Sequence, residues 1–255
     1  METQHLSLVV RAAEQNFPAT IRVQDQTLHR QVIAIDSQDH RVDTSSGCLS
    51  HYADRDATER LLWELVEMLD HNLGSVYARV TRELYHNTRP WRINKWDEML
   101  TRGLVYVVYV TRSGAATGRR RRGRSTPLLF LSFMLTEENG LIHSDPARVW
   151  SVLYLYEIQL LPCVRGRGLG HTLVSEYLAG TARAVREGAR MTADQFFGVE
   201  LTVFGENDGA IRFYRRLGMR RAADSPEERH DDVISQKPLY YLYVMRIDNV
   251  PPGYL

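Results

Sequence analysis

The segment 154–170, YLYEIQLLPCVRGRGLG, places an apolar strand shortly before a glycine-rich turn that opens a helix. Glycines at such a turn let the backbone approach an anion closely, and the first N–H groups of the helix and its dipole attract negative charge. The spacing Arg165-x-x-Gly168-x-Gly170 therefore predicts a phosphate site at the start of a helix. A phosphate site of this kind requires a strand, a glycine turn and a helix to follow one another in the middle of the chain.

Two other phosphate-binding turns do not fit the sequence. The dinucleotide pattern G-x-G-x-x-G differs in spacing from Gly166-x-Gly168-x-Gly170, and the residues before this turn show no alternation of strands and helices. The P-loop requires a Gly-Lys-Ser/Thr sequence, which does not follow here. A Rossmann fold and a P-loop fold are therefore both excluded.

The hydrophobic pattern predicts an α/β fold with a mixed, mostly antiparallel sheet and helices on both faces. Apolar residues three to four apart predict a helix over 54–85, capped by Asp54 or Asp56. A second helix follows the glycine turn. Strands are predicted at 104–110, 128–135, 149–160, 199–204 and 239–247. We predict an N-terminal extension over 1–50 and one domain over 51–250.

Composition excludes several classes of protein. The net charge of +1 gives no overall attraction for DNA or for a membrane, and no apolar run reaches the roughly 18 residues of a membrane span. The N-terminus lacks the pattern of a signal peptide. Cys48 and Cys163 show no metal-ligand spacing, so we expect no metal and a reducing compartment, namely the cytoplasm, the nucleus or both.

A second unit downstream extends the pattern: the strand VELTVF at 199–204, then Asn207, then a short helix. Together with the glycine turn, this order resembles the GCN5-related N-acetyltransferases. The run Tyr154-Leu-Tyr156-Glu157 and the sequence LTVF before Asn207 resemble more closely the N-alpha-acetyltransferase 40 family, over about residues 60–247. The resemblance implies acetyl-coenzyme A as co-substrate and a GCN5-related fold. It also implies acetylation of the N-terminal serine of histone H4 and of the core histone that shares its Ser-Gly-Arg-Gly start.

The resemblance also implies roles for individual residues. It implies catalytic roles for Glu157, Tyr156 and Tyr214. The residues expected to bind acetyl-coenzyme A are Ile158, Gln159, Leu160, Gly166, Arg167, Gly168, Leu169, Gly170, His171 and Asn207. Those expected to contact the acceptor are Tyr77, Tyr85, Trp91, Glu137, Glu138, Tyr154, Thr202 and Tyr241, with the choice between Tyr77 and Tyr85 left open.

Glu157 is a candidate general base on chemical grounds. An α-amine has a pKa of about 7.7–8.0 and is mostly protonated at pH 7, so a carboxylate must accept its proton directly or through one water. Glu157 is the only carboxylate on the strand 149–160; a structural ion pair is the alternative role. In a regular strand Tyr154 and Tyr156 share one face and Glu157 lies on the other. A β-bulge near the glycine turn could bring all three toward one pocket, because bulges re-aim side chains beside active sites.

Two charged segments have open interpretations. The arginine-rich loop 112–126 is a solvated hairpin tip, a nuclear localisation signal or a contact for ribosomal RNA. Glu137, Glu138 and the stretch 227–232 are solvated loop charges or partners for the arginine of a Ser-Gly-Arg-Gly tail. We expect a monomer that acts on histone N-terminal peptides, with the ribosome as an open alternative partner. The alternative functions are a broader peptide or lysine amine acetyltransferase and a non-catalytic acetyl-coenzyme A-binding module.

Overall fold

A central mixed sheet organises the molecule. The computed structural model describes residues 2–36, 42–43, 55–112, 125–230 and 235–247. Within these ranges the strand order is β1-β2-β4-β5-β6-β7-β11-β8, with β3 beside β2 and a separate β9-β10 pair. Neighbouring strands run antiparallel except β6 and β7, which run parallel. The mixed, mostly antiparallel sheet predicted from the sequence is therefore confirmed.

The bounds of the elements follow the chain in order. The strands are β1 (Thr20–Val23), β2 (Gln26–Ile35), β3 (Val42–Asp43), β4 (Val105–Arg112), β5 (Ser125–Glu138), β6 (Trp150–Leu160), β7 (Phe196–Phe204), β8 (Arg220–Arg221), β9 (Arg229–His230), β10 (Ser235–Gln236) and β11 (Tyr240–Arg246). The helices are α1 (Glu2–Asn16), α2 (Arg55–Tyr85), α3 (Trp91–Met99), α4 (Leu169–His171), α5 (Ala179–Gly188) and α6 (Asp208–Arg216). A π-helical segment, Thr172–Leu178, joins α4 to α5 in one continuous helical run.

Helices cover both faces of the sheet, as predicted. Along β4, Val105, Val107 and Tyr109 pack into a core shared with α1, α5 and the π-helical segment. The alternate residues Tyr106 and Val108 pack into a second core shared with α2 and α3. Both faces of this strand are buried, which explains why its sequence is almost continuously apolar rather than alternating.

The N-terminal residues belong to the sheet, which corrects the predicted boundary at residue 50. Strand β2 pairs with β4 from His29 opposite Val110 to Ala34 opposite Val105. Phe17, at the end of α1, is fully buried, with its ring 6.0 Å from that of Phe133. Residues 2–35 therefore form part of the same core as the rest of the domain, rather than an extension packed along it.

The helix predicted over 54–85 is confirmed as α2, which continues through Gly74 without a break. Helix α3 was not predicted, because its nine residues follow Pro90 and carry too few turns to show a helical period. Several sequence features lie outside the described residues: Cys48, Asp54, the arginine-rich residues 113–124, and 231–232 in the acidic stretch.

The two parallel strands of the sheet separate partway along their length. Pairing of β6 with β7 runs from Ser151 opposite Phe196 to Leu155 opposite Leu201. Beyond this point β6 stays paired with β5 up to Leu160, and β7 stays paired with β11 up to Phe204. The strands thus diverge after Leu155 and open a gap in the sheet at their carboxyl ends.

Candidate active site

A cavity of about 840 Å³ lies at the gap between β6 and β7. Its walls come from the diverging ends of both strands, the glycine turn, α6, and helices α2 and α3 on the other side. The predicted site residues that line it are Tyr77, Tyr154, Tyr156, Glu157, Ile158, Gln159, Leu160, Gly166, Gly168, Leu169, Gly170, His171, Thr202, Asn207 and Tyr214. The structure therefore brings most of the predicted site into one cavity.

A β-bulge turns Tyr156 and Glu157 to the same face of the sheet. Ser132 lies opposite Glu157 and Phe133 opposite Leu155, so Tyr156 has no counterpart on β5. As a result Leu155 and Ile158 both pack into the core beside α5, while Tyr156 packs beside α2 and α3. The β-bulge considered from the sequence is present, and it turns Tyr156 and Glu157 toward the cavity.

Glu157 is held by three donors. The Tyr77 hydroxyl donates to Oε1 at 2.9 Å, and the Lys95 ammonium lies 2.6 Å from the same oxygen. The side-chain amide of Gln159 donates to Oε2 at 2.9 Å. The Glu157 side chain is buried, and these three contacts compensate the cost of removing a carboxylate from water. The ion pair that the sequence left open as an alternative role is therefore present.

A directional chain of amides fixes Gln159 in turn. The Nδ2 atom of Asn72 on α2 donates to Oε1 of Gln159 at 2.9 Å and to the Leu160 carbonyl at 3.1 Å. The Arg165 guanidinium donates to Oδ1 of Asn72, and its Nε donates to the same Leu160 carbonyl at 2.7 Å. Because arginine can only donate, it fixes the orientation of both amides, and the Gln159 NH₂ group points at Glu157.

The glycine turn has the open backbone that a phosphate requires. Gly166 and Gly168 have φ angles of +73° and +75°, and a Cβ built on either would meet no atom within 4 Å. The Thr172 N–H donates to the Gly168 carbonyl at 3.2 Å, so Gly168 caps the helical run that starts at Leu169. The free N–H groups of the first turn consequently border the cavity, where an anion can reach them.

The structure resolves the choice between two tyrosines in favour of Tyr77 as a cavity residue. Tyr77 is buried, and Trp91 stacks on its ring with centroids 5.0 Å apart. Tyr85 lies two helical turns later and donates to Glu98 at 3.2 Å, outside the cavity wall. Trp91 supports Tyr77 from behind and does not reach the cavity itself.

Four further predicted residues lie outside the cavity wall: Glu137, Glu138, Arg167 and Tyr241. Tyr241 is buried, and its hydroxyl donates to Glu228 at 2.8 Å, so it does not close the opposite wall as expected. The exposed Arg167 donates to the Cys163 carbonyl at 3.4 Å. For Tyr241 and Arg167, a local protein partner thus takes the polar group that was expected to meet a ligand.

Two predicted residues keep part of their hydrogen-bonding capacity for a ligand. Asn207 caps α6 by accepting the Ala210 N–H at 3.1 Å, which leaves its Nδ2 group available as a donor. Tyr214 is buried on α6 and borders the cavity. Burial, followed by the negative charge of Glu157, raises the pKa of Tyr214, so its phenol keeps its proton at neutral pH.

Tyr154 and Tyr156 face the cavity from the side nearest β7. Their ring centroids lie 5.1 Å apart, and the Tyr154 hydroxyl lies 2.5 Å from Oγ1 of Thr202. Burial is the main cause that raises the pKa of both tyrosines. They therefore act as neutral hydrogen-bonding groups at physiological pH, beside the carboxylate of Glu157.

Sequence analysis did not identify Lys95, Glu98, Asn72 or Arg216 as cavity residues. A lysine on a short helix is normally exposed, and the sequence gives no sign that Lys95 is 2% exposed. Asn72 lies within the predicted helix 54–85, and nothing in the neighbouring sequence indicates that its amide contacts β6. These residues are recognisable only once α2 and α3 are packed against the sheet.

A second buried glutamate, Glu200 on β7, lies next to the site but outside the cavity wall. Its side chain is 3% exposed, and its Oε2 atom has no hydrogen-bond partner among the described residues. Burial, together with the nearby carboxylates of Glu138 and Asp224, raises the pKa of Glu200 to about 8. Glu200 is therefore largely protonated in the folded protein at neutral pH.

We expect Glu200→Gln to stabilise the protein at pH 7.5 by on the order of 2–3 kcal/mol and to have little effect near pH 4.5. Between the ordinary pKa of 4.5 and the folded value of about 8, the unfolded chain binds fewer protons, so wild-type stability falls as pH rises. Glutamine has no such titration. Urea unfolding at pH 4.5 and pH 7.5 measures the difference, with exposed Glu137→Gln as control. An equal gain in stability at both pH values would contradict the prediction.

Two properties of the described residues bear on the class of protein. None of the helices is long and apolar enough to cross a membrane. No group of three or more His, Cys, Asp or Glu side chains is placed to hold a metal ion in the described part of the chain. The polar side chains that line the cavity are amides, phenols, the Thr202 hydroxyl, the His171 imidazole, the carboxylates of Glu98 and Glu157, and cations.

Comparison with known proteins gives one strong similarity in sequence. The chain is 36% identical over 237 residues to N-alpha-acetyltransferase 40 of Saccharomyces cerevisiae, covering 86% of this chain and 78% of the relative. No family model matches the chain.

Among solved structures, Arabidopsis thaliana NAA60 in complex with acetyl-CoA is 18% identical, with a TM-score of 0.41, over 72% of this chain and 93% of that one. The same enzyme with a bisubstrate analogue gives a TM-score of 0.37 at 17% identity, over 65% and 88%. TM-scores below 0.5 add nothing to the assignment, which rests on the sequence relative.

Proposed function

Because the chain belongs to the N-alpha-acetyltransferase 40 family, we propose that it moves an acetyl group from acetyl-coenzyme A to the N-terminal serine of histone H4 and of the core histone with the same Ser-Gly-Arg-Gly start. The family and the GCN5-related fold predicted from the sequence are confirmed, and the chain is an acyltransferase of the protein N-terminal class. The observation that carries the proposal is the cavity that joins a glycine turn to a buried carboxylate.

The site suits acetyl-coenzyme A, which supplies the acetyl group as a thioester. The pyrophosphate fits the turn at Gly166 and Gly168, where the backbone is open, beside the start of a helix. The pantetheine arm fits the gap between β6 and β7, where Ile158 and Leu160 border the cavity as the edge of a sheet does. Asn207 on the opposite wall supports the same arm through its Nδ2 donor.

Glu157 serves as the general base in this proposal. A carboxylate offers about four lone-pair positions, and Tyr77, Lys95 and Gln159 occupy three of them. One position on Oε2 stays open to the acceptor amine or to a bridging water. A proton leaving the amine therefore has a defined destination, while the three donors keep the carboxylate in place.

Two tyrosines complete the chemistry. Tyr156 lies beside Glu157 on the bulge, where its phenol can orient the incoming amine. Tyr214 keeps its proton at neutral pH and borders the cavity from α6, which suits a donor to the departing thiolate of coenzyme A. Proton acceptor and proton donor thus come from different walls of the cavity.

The acceptor peptide is expected to enter on the side lined by Tyr77, Tyr154 and Thr202. Small first and second residues fit between aromatic walls, and Glu138 near this entrance suits the arginine of a Ser-Gly-Arg-Gly tail. We also propose that the protein acts as a monomer in the cytoplasm and nucleus. Its proposed partners are histone N-terminal peptides, with the ribosome as an open alternative.

We expect strong dependence on the first residues of the peptide. A peptide that starts with Met-Leu or Ala-Pro should show a kcat/KM at least about 10²-fold lower than Ser-Gly-Arg-Gly-Lys, because its side chains leave polar groups of the site unpaired. Thiol release from acetyl-coenzyme A measures the rate for each peptide. Comparable rates would indicate a broad N-terminal acetyltransferase.

The same assay separates the alternative functions. Release of thiol with free lysine, or with a peptide whose N-terminus is already acetylated, would indicate a lysine or small-molecule acetyltransferase. Binding of acetyl-coenzyme A without turnover on any amine would indicate a non-catalytic binding module. The histone proposal requires thiol release with the free N-terminal serine and only background release with the blocked peptide.

A further inference from the structure

Lys95 on α3 is a buried ammonium that contacts two carboxylates. It is 2% exposed, and its Nζ lies 2.6 Å from Oε1 of Glu157 and 2.5 Å from Oε1 of Glu98. The Tyr77 ring lies 5.5 Å from the same Nζ atom. A buried ammonium costs several kcal/mol unless its charge and N–H groups are matched, so these contacts fix where the lysine lies.

The charges around this pair come from several elements. Although burial alone would lower the pKa of Lys95, Glu157 and Glu98 raise it well above its ordinary value, so the lysine stays cationic. The titratable groups that face Lys95 or Glu157 are Glu98 on α3, Tyr77 and Tyr85 on α2, Tyr106 on β4, and Tyr156 and Tyr214. Burial raises the pKa of each of these tyrosines, so they stay neutral. Lys95 is then the one cation among the groups named here.

We propose that Lys95 is a positioning residue for the transfer reaction and acts through Glu157. Its positive charge pairs with the buried Glu157 carboxylate and holds it so that Oε2 faces the acceptor amine. Lys95 binds Oε1, and Gln159 binds Oε2 from the other side, so the carboxylate cannot rotate freely. This inference rests on the proposed function, since it assigns Glu157 as the base.

Loss of the lysine should be visible in the pH dependence of catalysis. Without the cation, the buried Glu157 carboxylate keeps the partly exposed carboxylate of Glu98 as a neighbour, and like charges favour uptake of a proton. Activity should therefore be lost at neutral pH and return as the pH rises.

The experiment compares Lys95→Met and Lys95→Arg with the wild-type enzyme from pH 6 to 9.5. Because the peptide amine titrates equally for all enzymes, the ratio of variant to wild-type kcat/KM at each pH removes its contribution. We expect the Lys95→Met ratio to be about 10–10²-fold below one at pH 7 and to rise steadily with pH. Lys95→Arg retains the charge, and its ratio should be closer to one and nearly independent of pH. A low but pH-independent ratio for Lys95→Met would overturn the proposal.

A second variant covers the case in which Lys95→Met does not fold. Glu98 is partly exposed, and Glu98→Gln removes a negative charge near Glu157 while leaving the Lys95–Glu157 contact. We expect the ratio of its kcat/KM to the wild-type value to be highest at low pH and to fall as the pH rises, which is the opposite of the trend expected for Lys95→Met. A ratio that rises with pH in Glu98→Gln would contradict the proposal.

A double-mutant cycle tests whether Lys95 acts through Glu157. In a Glu157→Gln background, Lys95→Met should cause less than about a threefold further loss, because the group it serves is already gone. An undiminished loss in that background would show a role independent of Glu157. An inactive wild-type enzyme would overturn the proposed function together with this inference, whereas an active enzyme with unchanged pH slopes would overturn the inference alone.

Discussion

Glu157→Gln should lower kcat by about 10²–10⁴-fold at pH 7, with little change in KM for either substrate. The substitution keeps the shape of the side chain and removes the proton acceptor at the centre of the cavity. The remaining rate should rise with pH, because more of the peptide amine is then neutral without help. Steady-state thiol release from pH 6 to 9.5, with circular dichroism as a check on folding, measures both effects.

The matched control is Glu200→Gln, which makes the same change in the other buried glutamate, on the neighbouring strand β7. Glu200 does not line the cavity, so its kcat should stay within about threefold of wild type. If folded Glu157→Gln turns over near the wild-type rate at pH 7, Glu157 serves only the ion pair with Lys95. The proton would then leave through water held by Tyr156 or by the backbone.

Gly168→Val should raise the apparent KM for acetyl-coenzyme A by about 10–100-fold. A β-branched side chain at this turn occupies the open space in front of the first helical N–H groups, and losing charge-assisted contacts of about 1.5–3 kcal/mol gives an effect of this size. The kcat at saturating acetyl-coenzyme A should change less than the KM. Isothermal titration with coenzyme A measures the same loss without turnover.

Gly218→Val controls for backbone strain in this experiment. Gly218 has a φ of +80°, close to the +75° of Gly168, and its added Cβ also meets nothing within 4 Å. It follows α6 and does not line the cavity. Both variants thus carry a similar conformational penalty, and only Gly168→Val should weaken coenzyme A binding. Equal effects in the two variants would assign the loss to the backbone rather than to a blocked phosphate site.

The local sequence was sufficient to predict the side of the cavity that is formed by β6, the glycine turn and the helix after it. The strand, the glycine turn and the helix that follow one another from Tyr154 onward are contiguous, so their order on the chain is also their order in space. The bulge could also be considered from the sequence, because Tyr154, Tyr156 and Glu157 do not all lie on one face of a regular strand. Contiguity explains why the order of these elements in the structure matches the prediction.

The side of the cavity built by α2 and α3 could not be predicted in this way. Trp91 stacks on Tyr77 because the chain turns back after Tyr85, a result of packing that spacing along the sequence does not reveal. Lys95 meets Glu157 across 62 positions of the sequence, and a lysine is the residue least expected in a core. The role of residues 2–35 was missed because the middle of β2, with His29, Arg30 and Gln31, obscures the strand pattern.

The place of β2 in the sheet has a practical consequence for shortening the protein. Its removal would turn β4 into an edge strand whose backbone donors and acceptors, from Val105 to Val110, have lost their partner. This strand is apolar on both faces and α1 would leave with β2, so a large hydrophobic surface would meet solvent beside an unpaired edge. Such an edge favours self-association over folding. Trimming the chain to the region that carries the family motifs would therefore expose both this edge and this surface.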